Sequence, residues 1–72
     1  MSNHIYKIVE IAGSSNAGIE AAIEAAVARA AKTTRHLRWF EITQVRGEIR
    51  DGKVERYQVQ LKAGFTLEDP EG

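Results

Sequence analysis

From Arg56 to Leu67 the chain alternates. Tyr57, Val59, Leu61, Ala63, Phe65 and Leu67 take one parity, and Arg56, Gln58, Gln60, Lys62 and Thr66 take the other. A period of two held this long describes a strand with one apolar and one wet face. A second strand-like stretch over residues 37–49 precedes it, and between them lies Asp51-Gly52, a favoured pair for a tight hairpin turn. The chain is thereby committed to a long antiparallel hairpin over residues 37–49 and 53–67, and everything upstream has to pack on it.

Upstream, residues 4–11 carry Ile5, Ile8, Val9 and Ile11 and read as a first strand. Gly13-Ser14-Ser15 reads as a turn, with Ser14 or Ser15 placed to accept hydrogen bonds from the first free amides of a helix. That helix is predicted over residues 16–34. Ile19, Ile23, Ala26, Val27 and Ala30 recur at spacings of three and four and form its sheet-facing stripe. Glu20 and Glu24 precede Arg29, Lys32 and Arg35, an order that complements the helix dipole. The numerous alanines keep the helix thin enough for close approach. The expected fold is α+β with order β-α-β-β: a three-stranded antiparallel sheet on one long helix. Residues 1–67 form a single domain and residues 68–72 an acidic tail.

A chain of 72 residues buries only about 60% of the surface that it exposes when unfolded. Small domains compensate with disulfides, metals or partners. There are no cysteines, and two separated histidines, His4 and His36, make no zinc site. Partners remain. At ~3.3 Å per residue the hairpin strands reach about 40 to 50 Å, whereas a helix of some twenty residues covers ~30 Å. The strands therefore overhang their own helix, and other copies of the chain are expected to cover the apolar excess.

Ten basic and ten acidic side chains cancel. That balance removes the positive field of a nucleic-acid or anionic-membrane binder. No run approaches the ~20 apolar residues of a membrane span, and the first four residues lead into a strand without a basic or apolar segment. The expected location is the cytoplasm.

Trp39, the single tryptophan, has parity opposite to Phe40 and Ile42 and so turns to the outer face that carries Gln58. Its π-face suits stacking on a planar conjugated ligand. A lone tryptophan in a small oligomer more often anchors an interface, and from the residues alone that role has precedence. Gln58 both donates and accepts, matching a ring edge of alternating carbonyl and imide groups, though most such glutamines only meet water. Arg46 could hold a phosphate through its planar fork, or simply pair with Glu48 or Glu55. Its parity differs from that of Trp39, so a bulge or strong twist has to intervene if both are to serve one ligand. The glycine-containing segment 13–18 lacks the lysine and spacing of a phosphate loop.

Together with the β-α-β-β order, these residues resemble a family. Val9-Glu10-Ile11-Ala12-Gly13-Ser14-Ser15 before an alanine-rich helix, then His36-Leu37-Arg38-Trp39-Phe40-Glu41, Arg46-Gly47, Tyr57-Gln58-Val59 and Gly64-Phe65-Thr66-Leu67, are similar to the dodecins along nearly the whole chain. The resemblance implies a hollow homododecamer that binds flavin. It implies that Trp39 and its symmetry mate enclose two flavins, that Gln58 hydrogen-bonds the polar ring edge, and that Arg46 favours FMN over riboflavin. Val45 and Gln44 are placed at the same pocket. Some bacterial members also bind coenzyme A near a basic residue. Thr66 stands there in this chain, a departure that weakens the case for that second ligand. The implied function is flavin storage and sequestration with quenching of flavin photochemistry, without turnover. The competing readings are a structural cage or interaction module and, against the neutral charge, a small nucleic-acid binder.

Overall fold

The computed structural model describes residues 4–67. Four elements follow one another: β1 (Tyr6–Ser15), α1 (Ile19–Ala31), β2 (Leu37–Arg50) and β3 (Lys53–Thr66). β3 lies in the middle of the sheet, antiparallel to both neighbours, in the order β1-β3-β2. This is the β-α-β-β fold that the alternation demands. The tail over residues 68–72 lies outside the described residues.

The β2–β3 turn is built as its sequence requires. Asp51 and Gly52 both have positive φ, 54° and 75°, the backbone of a two-residue turn whose twist matches that of the strands it joins. β1 departs from expectation. Gly13, Ser14 and Ser15 do not turn; they continue the strand, opposite Val59, Gln58 and Tyr57. The pairing offered by the long β3 overrides the local preference of Gly-Ser-Ser for a turn. α1 is consequently shorter than residues 16–34, and neither serine caps it. Gly18 stands at its start without a side-chain cap, and Ser15 Oγ instead accepts from the Ala17 amide at 2.9 Å.

One face of the sheet carries α1. The buried core cluster is Ala22, Ala26, Val59, Leu61 and Ala63, flanked by Val9, Ile11, Ile23, Leu37 and Ile42. The helix seam is thus Ala22-Ala26-Ala30 rather than the larger residues of the predicted stripe, and Ile19 is left exposed. Gly13 explains why. A Cβ on Gly13 would stand 2.7 Å from the Ala22 carbonyl oxygen and 2.8 Å from the Ala26 Cβ, so helix and strand touch backbone to backbone.

A helix of 13 residues covers about 20 Å, whereas strands of 14 residues extend about 45 Å. The molecule measures 56 × 20 × 14 Å. Beyond the helix start, the hairpin end carries Val45, Ile49, Val54 and Tyr57 around an open hollow that Ile19 borders. Ile49 is 77% exposed and Val54 55%. No helix among the described residues is long and apolar enough to cross a membrane.

Candidate ligand-binding site

Residues of β3 that alternate with Val59, Leu61 and Ala63 face away from the helix. Their partners on β2 are Trp39 opposite Gly64, Glu41 opposite Lys62, Gln44 opposite Gln60, Arg46 opposite Gln58 and Glu48 opposite Arg56. Trp39 and Arg46 therefore share one sheet face despite their opposite parity. The register shifts between Ile42 and Gln44, leaving Thr43 as an extra residue that reverses the alternation. The Thr43 hydroxyl pins this bulge by donating to the Gln60 carbonyl oxygen at 3.0 Å.

A second irregularity lies just before the tryptophan, between Leu37 and Trp39. It turns Leu37 inward and Trp39 outward although their parity is the same. Arg38, the extra residue, donates from Nε to Thr66 Oγ1 at 3.2 Å. Trp39 thus sits on a short segment bounded by two bulges, each tied to β3 by a side chain of β2. A guanidinium also stands beside the uncharged Thr66, supplied by Arg38.

The indole reaches across the central strand. A Cβ on Gly64 would collide with its Cε2, Cζ2 and Nε1, so the ring occupies the space above that glycine. Tyr6 of β1 approaches from the far side, with ring centroids 6.1 Å apart in an edge arrangement. Its own neighbour is His4, whose ring is stacked at 6.5 Å. Trp39 remains 39% exposed, a large value for a ring in contact on two sides.

At the other end of this face Arg46 Nη2 donates to Gln60 Oε1 at 3.2 Å. The cross-strand ion pair with Glu48 or Glu55 is not formed: Glu48 lies opposite Arg56, and Glu55 is paired with Arg50. Of the residues singled out in the sequence, Trp39, Gln44, Arg46 and Gln58 share this face. Val45 does not; it lies opposite the buried Val59, on the helix side, among the apolar residues of the hairpin end. Gln58 and Arg46 are neighbours, whereas Gln58 and Gly64 lie six positions apart on β3, about 20 Å. A ligand touching both Trp39 and Gln58 has to run lengthwise along one face or take one contact from each of two copies.

Tyr6, Gly64 and Gln60 belong to this surface and the sequence did not single them out. A glycine inside an otherwise regular strand was the available signal for Gly64, since it marks a close approach. Among the described residues no group of acidic or histidine side chains could hold a metal ion.

The surface can be set beside known proteins. The dodecin family model matches residues 5–68. A dodecin of Thermus thermophilus is 55% identical over 65 residues, covering 90% of this chain and 94% of that protein. The solved structure of dodecin from Streptomyces coelicolor aligns with a TM-score of 0.88 at 54% identity, over 96% of this chain and 99% of that one. Dodecin from Streptomyces davaonensis aligns with the same TM-score, 0.88, at 41% identity, over 94% and 100%.

Proposed function

The chain belongs to the dodecin family, and from that premise we propose that it is a flavin-binding storage protein rather than an enzyme, acting in the cytoplasm as a homododecamer. The flavin is FMN, with riboflavin accepted. One observation carries the reading: an indole that is seated, bounded by two bulges and still 39% exposed, on the same face as Arg46 and Gln58.

Each residue then has a task. Trp39 supplies a stacking face, and the Trp39 of a second copy supplies the opposite wall, enclosing a pair of rings. The site divided between two copies suits the ~20 Å that separate Trp39 from Gln58 on one chain. Gln58 meets the polar ring edge as donor and acceptor, Arg46 meets the phosphate, and Gln44 stands beside them. Val45, on the opposite face of its own sheet, contributes only through a neighbouring copy. Rings stacked between indoles are open to rapid electron transfer from tryptophan, which quenches the excited flavin. The same stacking leaves little room for a substrate against the reactive ring, which favours storage over turnover.

The test is a sizing column with light-scattering, absorbance and fluorescence detection, before and after addition of FMN. A yellow, twelve-subunit particle with quenched flavin emission is expected. A colourless particle that ignores FMN would leave a structural cage, the reading favoured by the exposed Ile49 and Val54. Reduction of bound FMN by a donor with product formation would make the protein an enzyme.

A further inference from the structure

We infer that Gln60 is the positioning residue that gives the site its preference for a phosphorylated ligand, by aiming Arg46 without neutralising it. The inference rests on the flavin reading above.

Gln60 makes both contacts that govern where Arg46 points. Its main-chain carbonyl accepts from the Thr43 hydroxyl at 3.0 Å and so holds the bulge that turns Arg46 onto the Trp39 face. Its side chain then accepts from Arg46 Nη2 at 3.2 Å. A guanidinium only donates, so the oxygen of the Gln60 amide faces it and the amide NH2 points away. Gln60 is half-buried in the central strand while Arg46 is exposed at the edge, so the more enclosed partner orients the more exposed one.

The charges on this face make the neutrality of Gln60 consequential. Glu41 lies opposite Lys62 and Glu48 opposite Arg56, whereas Arg46 lies opposite Gln58. Glu55 is engaged with Arg50. Among the described residues Arg46 bonds to the uncharged amide of Gln60 and lies opposite that of Gln58, so its positive charge stays available to an anion. A carboxylate in place of Gln60 would keep the hydrogen bond and cancel the charge. An apolar side chain would keep the charge and release a guanidinium with its full rotamer freedom. An amide does neither, which is what recognition of a phosphate by one exposed arginine requires.

The experiment measures dissociation constants for FMN and riboflavin by fluorescence titration of wild type, Gln60→Glu, Gln60→Met and Arg46→Ala, with assembly checked by light scattering. The ratio of the two affinities is the readout, because a purely structural role would weaken both flavins alike. Gln60→Glu is expected to lower the preference for FMN roughly ten-fold and Gln60→Met about three-fold, with riboflavin affinity held within about two-fold. Gln60→Met decides the matter if Gln60→Glu fails to assemble. The inference is overturned if Arg46→Ala removes the preference while both Gln60 variants retain it, or if both flavins weaken equally. Wild-type protein that binds the two flavins equally well overturns it and leaves the Trp39 platform standing; wild-type protein that binds neither overturns both.

Discussion

The indole of Trp39 occupies the space in which a side chain on Gly64 would stand. The two residues are directly opposed, one on the edge strand β2 and one on the central strand β3. On a pleated surface such opposed side chains compete for one volume, and here glycine cedes all of it to the ring. The indole can then lie over the sheet towards Tyr6 instead of standing free at the edge, where it would lose rotamer freedom on meeting a ligand.

Gly64→Ala therefore displaces the ring. The substitution adds one methyl group on the outer face, away from the helix and the core, so the fold is expected to survive a cost of about 1–3 kcal/mol. FMN affinity is expected to fall roughly ten-fold through loss of the preset orientation, measured by flavin fluorescence titration. Unchanged affinity would show that the indole finds its working position without that seat.

Trp39→Phe and Trp39→Ala separate stacking from quenching. Phenylalanine retains part of the π-face, and its affinity for FMN is expected to fall by no more than about ten-fold, in line with the ~0.5–1.5 kcal/mol of an aromatic pair. Alanine forfeits burial as well, ~1.5–3 kcal/mol more, giving a loss nearer to several hundred-fold. Phenylalanine is a poor electron donor, so bound flavin in Trp39→Phe is expected to regain emission. Time-resolved fluorescence checks this, and quenching that persists in Trp39→Phe would assign it to another group.

The hairpin was legible because its signals are local. Alternation from Arg56 onward and the Asp51-Gly52 pair each act within a few residues, and both strands lie where they predict. The bulge at Thr43 was readable as a requirement, from the opposed parity of Trp39 and Arg46. Its place, and the bulge at Arg38, were not, because a bulge is set by pairing with the distant β3 and leaves no composition of its own. Gly13-Ser14-Ser15 misled for the same reason: three residues with turn chemistry lie opposite a strand long enough to hold them extended. Ala26 and Ala30 of the helix seam were in the predicted stripe, but Ala22 was not, because periodicity weights large side chains, whereas contact here is governed by how near the backbones can come.

That nearness makes Gly13→Ala costly. Its methyl would enter between the Ala22 carbonyl and the Ala26 Cβ, at 2.7 and 2.8 Å, both atoms belonging to the helix rather than to flexible side chains. The helix has to lift from β1, and a loss of about 1–3 kcal/mol is expected in chemical denaturation. Ala28→Ser, on the exposed side of the same helix, serves as the control and is expected to stay within about 0.5 kcal/mol of wild type. Equal stability of Gly13→Ala and the control would mean that the helix is not seated where the glycine puts it.

The hairpin end carries an unmet demand for a partner. Ile49 at 77% exposure and Val54 at 55% stand opposite each other where α1 leaves them uncovered, with Val45 and Tyr57 beside them. Burying side chains of this size is worth about 1.5–3 kcal/mol each, and in a closed assembly every copy contributes the same patch. Ile49→Asp combined with Val54→Asp replaces that gain with a desolvation penalty, and like charges directly opposite on paired strands add repulsion. The expected result is a particle of lower mass by light scattering at micromolar concentration. Its far-ultraviolet circular dichroism reports whether the released chain keeps its sheet, which a 72-residue domain with so few buried residues sustains poorly alone. Retention of the wild-type mass by the double variant would place the subunit contacts elsewhere and leave the exposed hairpin end without a structural purpose.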